Sequence, residues 1–131
     1  MSAENMLPIM RDDASAPFFD AAAEGRLVIR ECPNGHLSAP QTSTCPRCAS
    51  TALTWHEASR RATLASYSII HRRGASDLPV AIVALDEGPW IRMQLQEVVA
   101  ENLRVGLPVE VRFATPEGGE PIPYAVPAAG A

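Results

Sequence analysis

Residues 31–50, ECPNGHLSAPQTSTCPRCAS, contain all three cysteines of the chain. Cys45 and Cys48 form a C-x-x-C pair, whose spacing lets both thiolates face one metal ion. Cys32 begins a second such turn, but Gly35 stands where its second cysteine would be. Because glycine adopts positive φ readily, Gly35 can turn the chain sharply and bring the longer imidazole of His36 into that place. The spacing therefore predicts a metal site made by Cys32, His36, Cys45 and Cys48.

This ligand set favours zinc in a structural role. Zinc in structural sites takes four tetrahedral ligands, and three thiolates with one imidazole are one of the usual combinations. Because no coordination position is left open, the ion stabilises a segment with little apolar core, by roughly 10 kcal/mol or more. Two alternatives are a ribbon that has lost its metal and a redox C-x-x-C, which normally accompanies a βαβ pattern. If His36 is not the fourth ligand, His56 is the next residue to consider.

Helix-capping signals precede the cysteine segment. Ser15 suits an N-cap, Pro17 suits the first turn, and Gly25 suits the residue after the last turn. These signals predict a short helix over residues 15–26. Brief apolar runs on either side of the cysteines predict strands and place a zinc ribbon at residues 27–59.

Beyond the ribbon, the pattern predicts β structure with one short helix. Five segments are apolar runs, are rich in β-branched residues, or alternate with period two, and they cover residues 63–71, 80–85, 91–95, 109–113 and 122–126. A short helix at residues 97–103 falls between the third and fourth of them. That order matches an OB-fold, although periodicity alone does not separate it from an SH3-like barrel. The predicted fold is mainly β, with a five-stranded OB-fold barrel at 60–127 and tails at 1–14 and 128–131.

Composition argues against nucleic acid and membrane as partners. The 131 residues carry a net charge of −4, and all 11 basic residues are arginine. A general nucleic-acid binder neutralises phosphates with clustered positive charge, which this balance disfavours. No apolar run approaches the ~20 residues that cross a bilayer, and the N-terminal residues lack the apolar core of a secretory signal. We therefore expect a cytoplasmic protein.

An ordered set of four segments resembles a known family. The segments are FFDAAAEGRLVIREC (18–32), CPNGHLSAP with TCPRC (32–48), ALDEGPW (84–90) and LRVGLPVEVRF (103–113), and the resemblance spans roughly residues 17–127. The family comprises small proteins with an N-terminal helix, a rubredoxin-like zinc ribbon and a C-terminal OB-fold, which are associated with acyl-CoA chemistry. Many members carry a cysteine at the position of Gly35, whereas some have an NGH segment like this one.

The resemblance implies a non-catalytic accessory subunit. Such proteins accompany thiolase-like enzymes of the acyltransferase, condensing or retro-aldol type, in which the thiolase-like subunit carries the nucleophile. The small protein docks on that subunit and helps to form the CoA and substrate channel. The alternatives are a stand-alone protein that binds or hydrolyses acyl-CoA and, against the charge balance, a nucleic-acid-binding OB-fold.

Two pairs of residues are predicted to contact ligands or partners. Arg72 and Arg73 lie in the loop after the first barrel strand, where adjacent guanidinium groups suit the phosphates of CoA; a solvated loop is the alternative. Trp90 and Arg92 fall on the polar face of their strand, and an exposed tryptophan beside arginine is typical of an interface anchor. The remaining histidines show no pairing with a nucleophile in the sequence, so no catalytic residue is predicted.

Overall fold

The structure, a computed structural model, describes residues 12–128, so most of the predicted N-terminal tail and residues 129–131 of the predicted C-terminal tail lie outside the described part. It is mainly β, as predicted. The elements in chain order are α1 (Ala16–Ala23), β1 (Leu27–Glu31), β2 (Leu37–Ser38), β3 (Thr54–Ala58), β4 (Arg61–Ile70), β5 (Leu78–Leu85), β6 (Trp90–Leu95), a 3-10 turn (Ala100–Asn102), β7 (Pro108–Ala114) and β8 (Ile122–Pro127). No helix in this part of the chain is long and apolar enough to cross a membrane.

Helix α1 begins and ends at residues with recognisable signals. Ser15 is the N-cap residue, but its hydroxyl makes no cap hydrogen bond to the helix. Instead the Asp12 backbone N–H donates to Ser15 Oγ at 2.9 Å, and the Ser15 N–H donates to Asp12 Oδ1 at 2.8 Å. After the helix, Gly25 adopts φ of 75°, which ends it as predicted. The buried face of α1 packs Phe19 against the outer side of β8, on Ile122, Tyr124 and Val126.

The zinc-ribbon segment forms a three-stranded antiparallel sheet in the order β2-β1-β3. The two-residue strand β2 was not predicted, because two residues are too few to show a period. Leu27 and Ile29 on β1, together with Ala58 on β3, belong to the same buried cluster as the barrel interior. The ribbon sheet is therefore packed onto the barrel rather than joined to it by a loose linker.

Strands β4–β8 close into a barrel in the order β4-β5-β6-β8-β7. Every pairing is antiparallel except β6 with β8, which is parallel. This arrangement is the five-stranded barrel predicted from the sequence. The interior is filled by fully buried aliphatic side chains, which include Leu64, Val83, Leu95, Val109 and Val111.

Two features of the barrel differ from what the sequence pattern indicates. Gln94 is in phase with the exposed Arg92 on β6, but it is only 8% exposed and its Oε1 finds no hydrogen-bond donor among the described residues. The reason is that β8 lies beside β6 at this point and pairs Tyr124, itself buried, with Gln94. The predicted helix over residues 97–103 is reduced to the 3-10 turn Ala100–Asn102.

Candidate functional site

Three thiols and one imidazole converge in the ribbon. The ligand atoms of Cys32, His36, Cys45 and Cys48 all lie within 4.8 Å of one another. Cys48 Sγ is 3.7 Å from Cys32 Sγ, and Cys45 Sγ is 3.6 Å from His36 Nδ1. Tetrahedral ligands at zinc bond lengths are separated by roughly 3.8 Å between two sulfurs and roughly 3.6 Å between sulfur and nitrogen. The four side chains therefore fit a structural zinc ion.

Two tight turns position these ligands. In the first, Gly35 adopts φ of 84°, and its N–H donates to the carbonyl oxygen of Cys32 at 2.9 Å. The His36 N–H then points at Cys32 Sγ at 3.3 Å, which leaves the imidazole facing the second turn. In that second turn Ala49 has φ of 62°, and its N–H donates to the carbonyl oxygen of Cys45 at 2.8 Å. Gly35 thus has the conformation that the sequence predicted for it.

The electrostatics of the cluster differ from one thiol to the next. Burial raises the pKa of the Cys32 thiol. A hydrogen bond from the backbone of Ser50, followed by one from the His36 side chain, lowers the pKa of Cys48 to about 6. Cys32 and Cys45 are buried, whereas Cys48 is partly exposed. The lowered pKa favours the thiolate form of Cys48, which is the form that binds a metal ion.

The other two histidines lie outside this cluster. His56, the alternative fourth ligand, faces the Glu31 carboxylate across the β1–β3 pair, with Nδ1 at 3.3 Å from Oε1. His71 faces Asp77, with Nδ1 at 3.1 Å from Oδ1, and both side chains are exposed. The metal-ligand group found in residues 12–128 contains neither of them.

The arginines predicted to bind an anion lie in the loop between β4 and β5. Arg72 donates from Nε to the carbonyl oxygen of Ser76 at 2.9 Å, so part of its hydrogen-bonding capacity is used within the loop. Arg73 next to it is exposed. The structure keeps the two residues adjacent in one exposed loop, far along the chain from the metal ligands.

Trp90 and Arg92 lie on the outer side of the barrel. Trp90 is 61% exposed, and Arg92 is exposed two residues further along β6. Cross-strand pairing aligns Arg92 with Ile82, and Ile82 with Ser66. We call the outward-facing residues of β4, β5 and β6 the outer sheet face; its members are Ser66, Ser68, Ile70, Val80, Ile82, Trp90 and Arg92.

One structural contact between the ribbon and the barrel could not be predicted from the sequence. The Glu87 carboxylate, in the turn between β5 and β6, accepts a hydrogen bond from the backbone N–H of Ser59 at 2.6 Å and from its hydroxyl at 3.4 Å. Ser59 joins the ribbon to the barrel, so Glu87 fixes this junction. No local signal could reveal the contact, because the two residues are 28 positions apart.

The fold and the metal site place the chain among proteins that combine a zinc ribbon with a five-stranded OB-fold barrel. Comparisons with known proteins then identify the family. The rubredoxin-like zinc-ribbon domain of ChsH2 matches residues 19–54, and its C-terminal OB-fold domain matches residues 55–114. A DUF35 domain-containing scaffold protein of Pyrococcus furiosus is 31% identical over 91 residues, which cover 66% of this chain and 67% of the relative. The chain belongs to the DUF35 family, with domains of the ChsH2 type.

Other relatives agree with this assignment. A probable enoyl-CoA hydratase alpha subunit of Thermomonospora curvata is 33% identical over 106 residues, but this chain spans only 33% of its length. Among solved structures, a chain of the Ltp2-ChsH2(DUF35) aldolase superposes with a TM-score of 0.80 at 27% identity, covering 91% of this chain and 98% of that chain. A DUF35 protein from Sulfolobus solfataricus, at 16% identity and a TM-score of 0.63, shows the same fold.

Proposed function

We propose that this chain is a non-catalytic accessory subunit of an acyl-CoA enzyme complex and docks on a thiolase-like catalytic subunit. The observation that carries the proposal is the similarity, over nearly the whole of both chains, to a chain of the Ltp2-ChsH2(DUF35) aldolase. The description of the Pyrococcus relative as a scaffold protein and of the Thermomonospora relative as a subunit supports the same assignment. The chemistry of the complex is of the acyltransferase, condensing or retro-aldol type.

The chemistry of the described residues supports a docking role. The three thiols converge on the metal site, where a structural zinc ion leaves no open coordination position. His56 and His71 each face a carboxylate on the surface, and no described hydroxyl or thiol lies within hydrogen-bonding distance of either imidazole. Nucleophilic catalysis normally uses such a pair, so in this proposal the nucleophile belongs to the partner subunit.

The part of this chain that faces CoA is, in this proposal, the loop between β4 and β5. Arg73 is exposed there, and none of the described carboxylates pairs with it. An exposed guanidinium group without a carboxylate partner can bind a phosphate of CoA when the partner subunit brings the CoA ester close. Arg73→Ala should therefore raise the KM of the complex for the CoA ester more than it lowers kcat.

Co-expression tests the proposed function. The chain is produced together with a thiolase-like protein from the same genome, purified by a tag on one subunit, and sized by gel filtration. We expect a stable hetero-oligomer whose turnover of the CoA ester exceeds that of the catalytic subunit alone. A catalytic subunit that is fully active alone, with this chain eluting as a monomer under all conditions, would refute the proposal.

A stand-alone acyl-CoA-binding protein is distinguished by calorimetry. CoA or acetyl-CoA titrated into the isolated chain should give no heat of tight binding, because one exposed arginine loop without a covering partner provides few contacts. Micromolar binding without a partner would favour the stand-alone alternative over the accessory subunit.

A further inference from the structure

An apolar cleft lies where α1, the ribbon and the barrel meet. Its volume is about 220 Å³. Its walls are mostly apolar side chains from all three parts of the fold, namely Phe18, Phe19, Trp55, Ile91, Ile122 and Pro123. Gln41 and Arg92 also line it, and both are exposed. Because the walls come from separate segments of the chain, the cleft exists only in the folded protein.

The walls of the cleft are held in place before anything binds. The guanidinium carbon of Arg30 lies 4.2 Å from the centre of the Trp55 ring, so the ring is stacked on its ribbon side. Phe18 and Phe19 pack edge to face, with their ring centres 5.3 Å apart. Side chains that are already ordered lose little entropy when they are covered, and this favours binding.

The volume of the cleft indicates what can bind in it. Pockets for whole small molecules measure roughly 300–1,000 Å³, so this cleft is too small for a CoA ester. It is large enough for one apolar side chain, which is how the central anchors of protein interfaces are buried.

Arg92 indicates that a group that binds in the apolar cleft should also carry a negative charge. It lines the cleft and also the neighbouring surface of the outer sheet face, so it stands between the two. No carboxylate in residues 12–128 pairs with it, although several other arginines, such as Arg26 and Arg61, have carboxylate partners. An exposed guanidinium group at the rim of an apolar cleft can form a charge-assisted hydrogen bond with a carboxylate that an incoming partner supplies.

From the cleft and the unpaired arginine together we infer that the catalytic partner inserts one apolar side chain into the cleft and places a carboxylate on Arg92. The inference rests on the proposed function and deepens it, since it names the docking site and the chemistry of the partner segment.

Two substitutions at the rim test the docking site without touching the core. Gln41→Trp should fill the cleft, and Arg92→Glu should repel the carboxylate. Each should weaken the complex with the thiolase-like subunit at least tenfold, because central anchors dominate interface affinity. The matched controls Gln41→Ala and Arg104→Glu should stay within about twofold of the wild type. Affinities are measured by biolayer interferometry on variants with unchanged unfolding midpoints.

A partner-free measurement uses phenylacetate, which joins an aromatic ring to a carboxylate. In an NMR titration it should shift the indole N–H of Trp55, with a dissociation constant on the order of 10 mM for so small a probe. The shift should disappear in Arg92→Glu and in Gln41→Trp.

The outcomes separate the two proposals. If the wild type forms no complex, the proposed function is overturned, and the docking site with it. If the complex forms equally well with Gln41→Trp or with Arg92→Glu, only the docking site is overturned.

A chain lacking residues 2–11 should bind phenylacetate and the partner as the full chain does. A tenfold gain on that deletion would identify the chain's own N-terminal segment as the occupant and refute the inference.

Discussion

At the scale of single residues, the metal site depends on His36 taking the role of a fourth cysteine. The protein should contain about one zinc ion per chain. His36→Ala should lose most of it, as Cys45→Ala does, because a structural site with three ligands is open to water and competes poorly for zinc. His56→Ala is the matched control and should keep its zinc, since His56 faces Glu31 instead. Elemental analysis by mass spectrometry measures all four proteins, and a zinc-containing His36→Ala protein would contradict this ligand set.

The cluster of three cysteines and one histidine could be predicted because the spacing of its residues is local. A C-x-x-C pair and a glycine followed by histidine each describe one turn, and both turns are found in the structure. What spacing cannot show is how the two turns meet, and therefore which thiol is exposed or has its pKa lowered. The fall in the pKa of Cys48 to about 6 depends on Ser50 and on His36, which reaches it only through tertiary folding.

At the level of secondary-structure elements, the positions of the strands could be predicted from the sequence, whereas the burial of individual side chains on them could be predicted less well. Apolar runs, β-branched residues and period-two alternation located β4–β8 to within a few residues. Alternation alone does not show that Gln94 is buried, because Gln94 is in phase with the exposed Arg92, and its neighbour Tyr124 comes from the paired strand β8. A parallel neighbour that comes from 30 residues further along the chain leaves no mark on the local sequence of β6.

The buried amide of Gln94 supplies a stability prediction. Gln94→Met keeps the volume of the side chain and removes an acceptor that lacks a donor, so it should stabilise the protein by about 1 kcal/mol. Gln94→Glu should destabilise it, because a buried carboxylate without a cation is costly. Urea unfolding measures both variants. A methionine variant less stable than the wild type would show that the Gln94 amide makes a bond that the structure does not reveal.

At the scale of the whole molecule, the ribbon has two sources of stability. Its sheet shares the barrel core through Leu27, Ile29 and Ala58, and Glu87 holds the junction at Ser59. Its loop, residues 39–53, contains no strand, and Cys45 is the one fully buried residue in it. The sheet therefore depends on hydrophobic burial, while the loop depends on the metal.

Removal of zinc should destabilise the loop of the ribbon and leave the barrel intact. With a chelator present, backbone amides in residues 32–53 should lose protection from hydrogen exchange, because the ligands no longer hold the two turns together. The strands β4–β8 should keep their protection, since their core contains no metal ligand. Exchange measured by mass spectrometry on wild type and Cys45→Ala should give the same pattern, and zinc added back should restore only the wild type. If chelation instead removes protection from the barrel as well, the ion holds the whole fold together, and ribbon and barrel unfold as one cooperative unit.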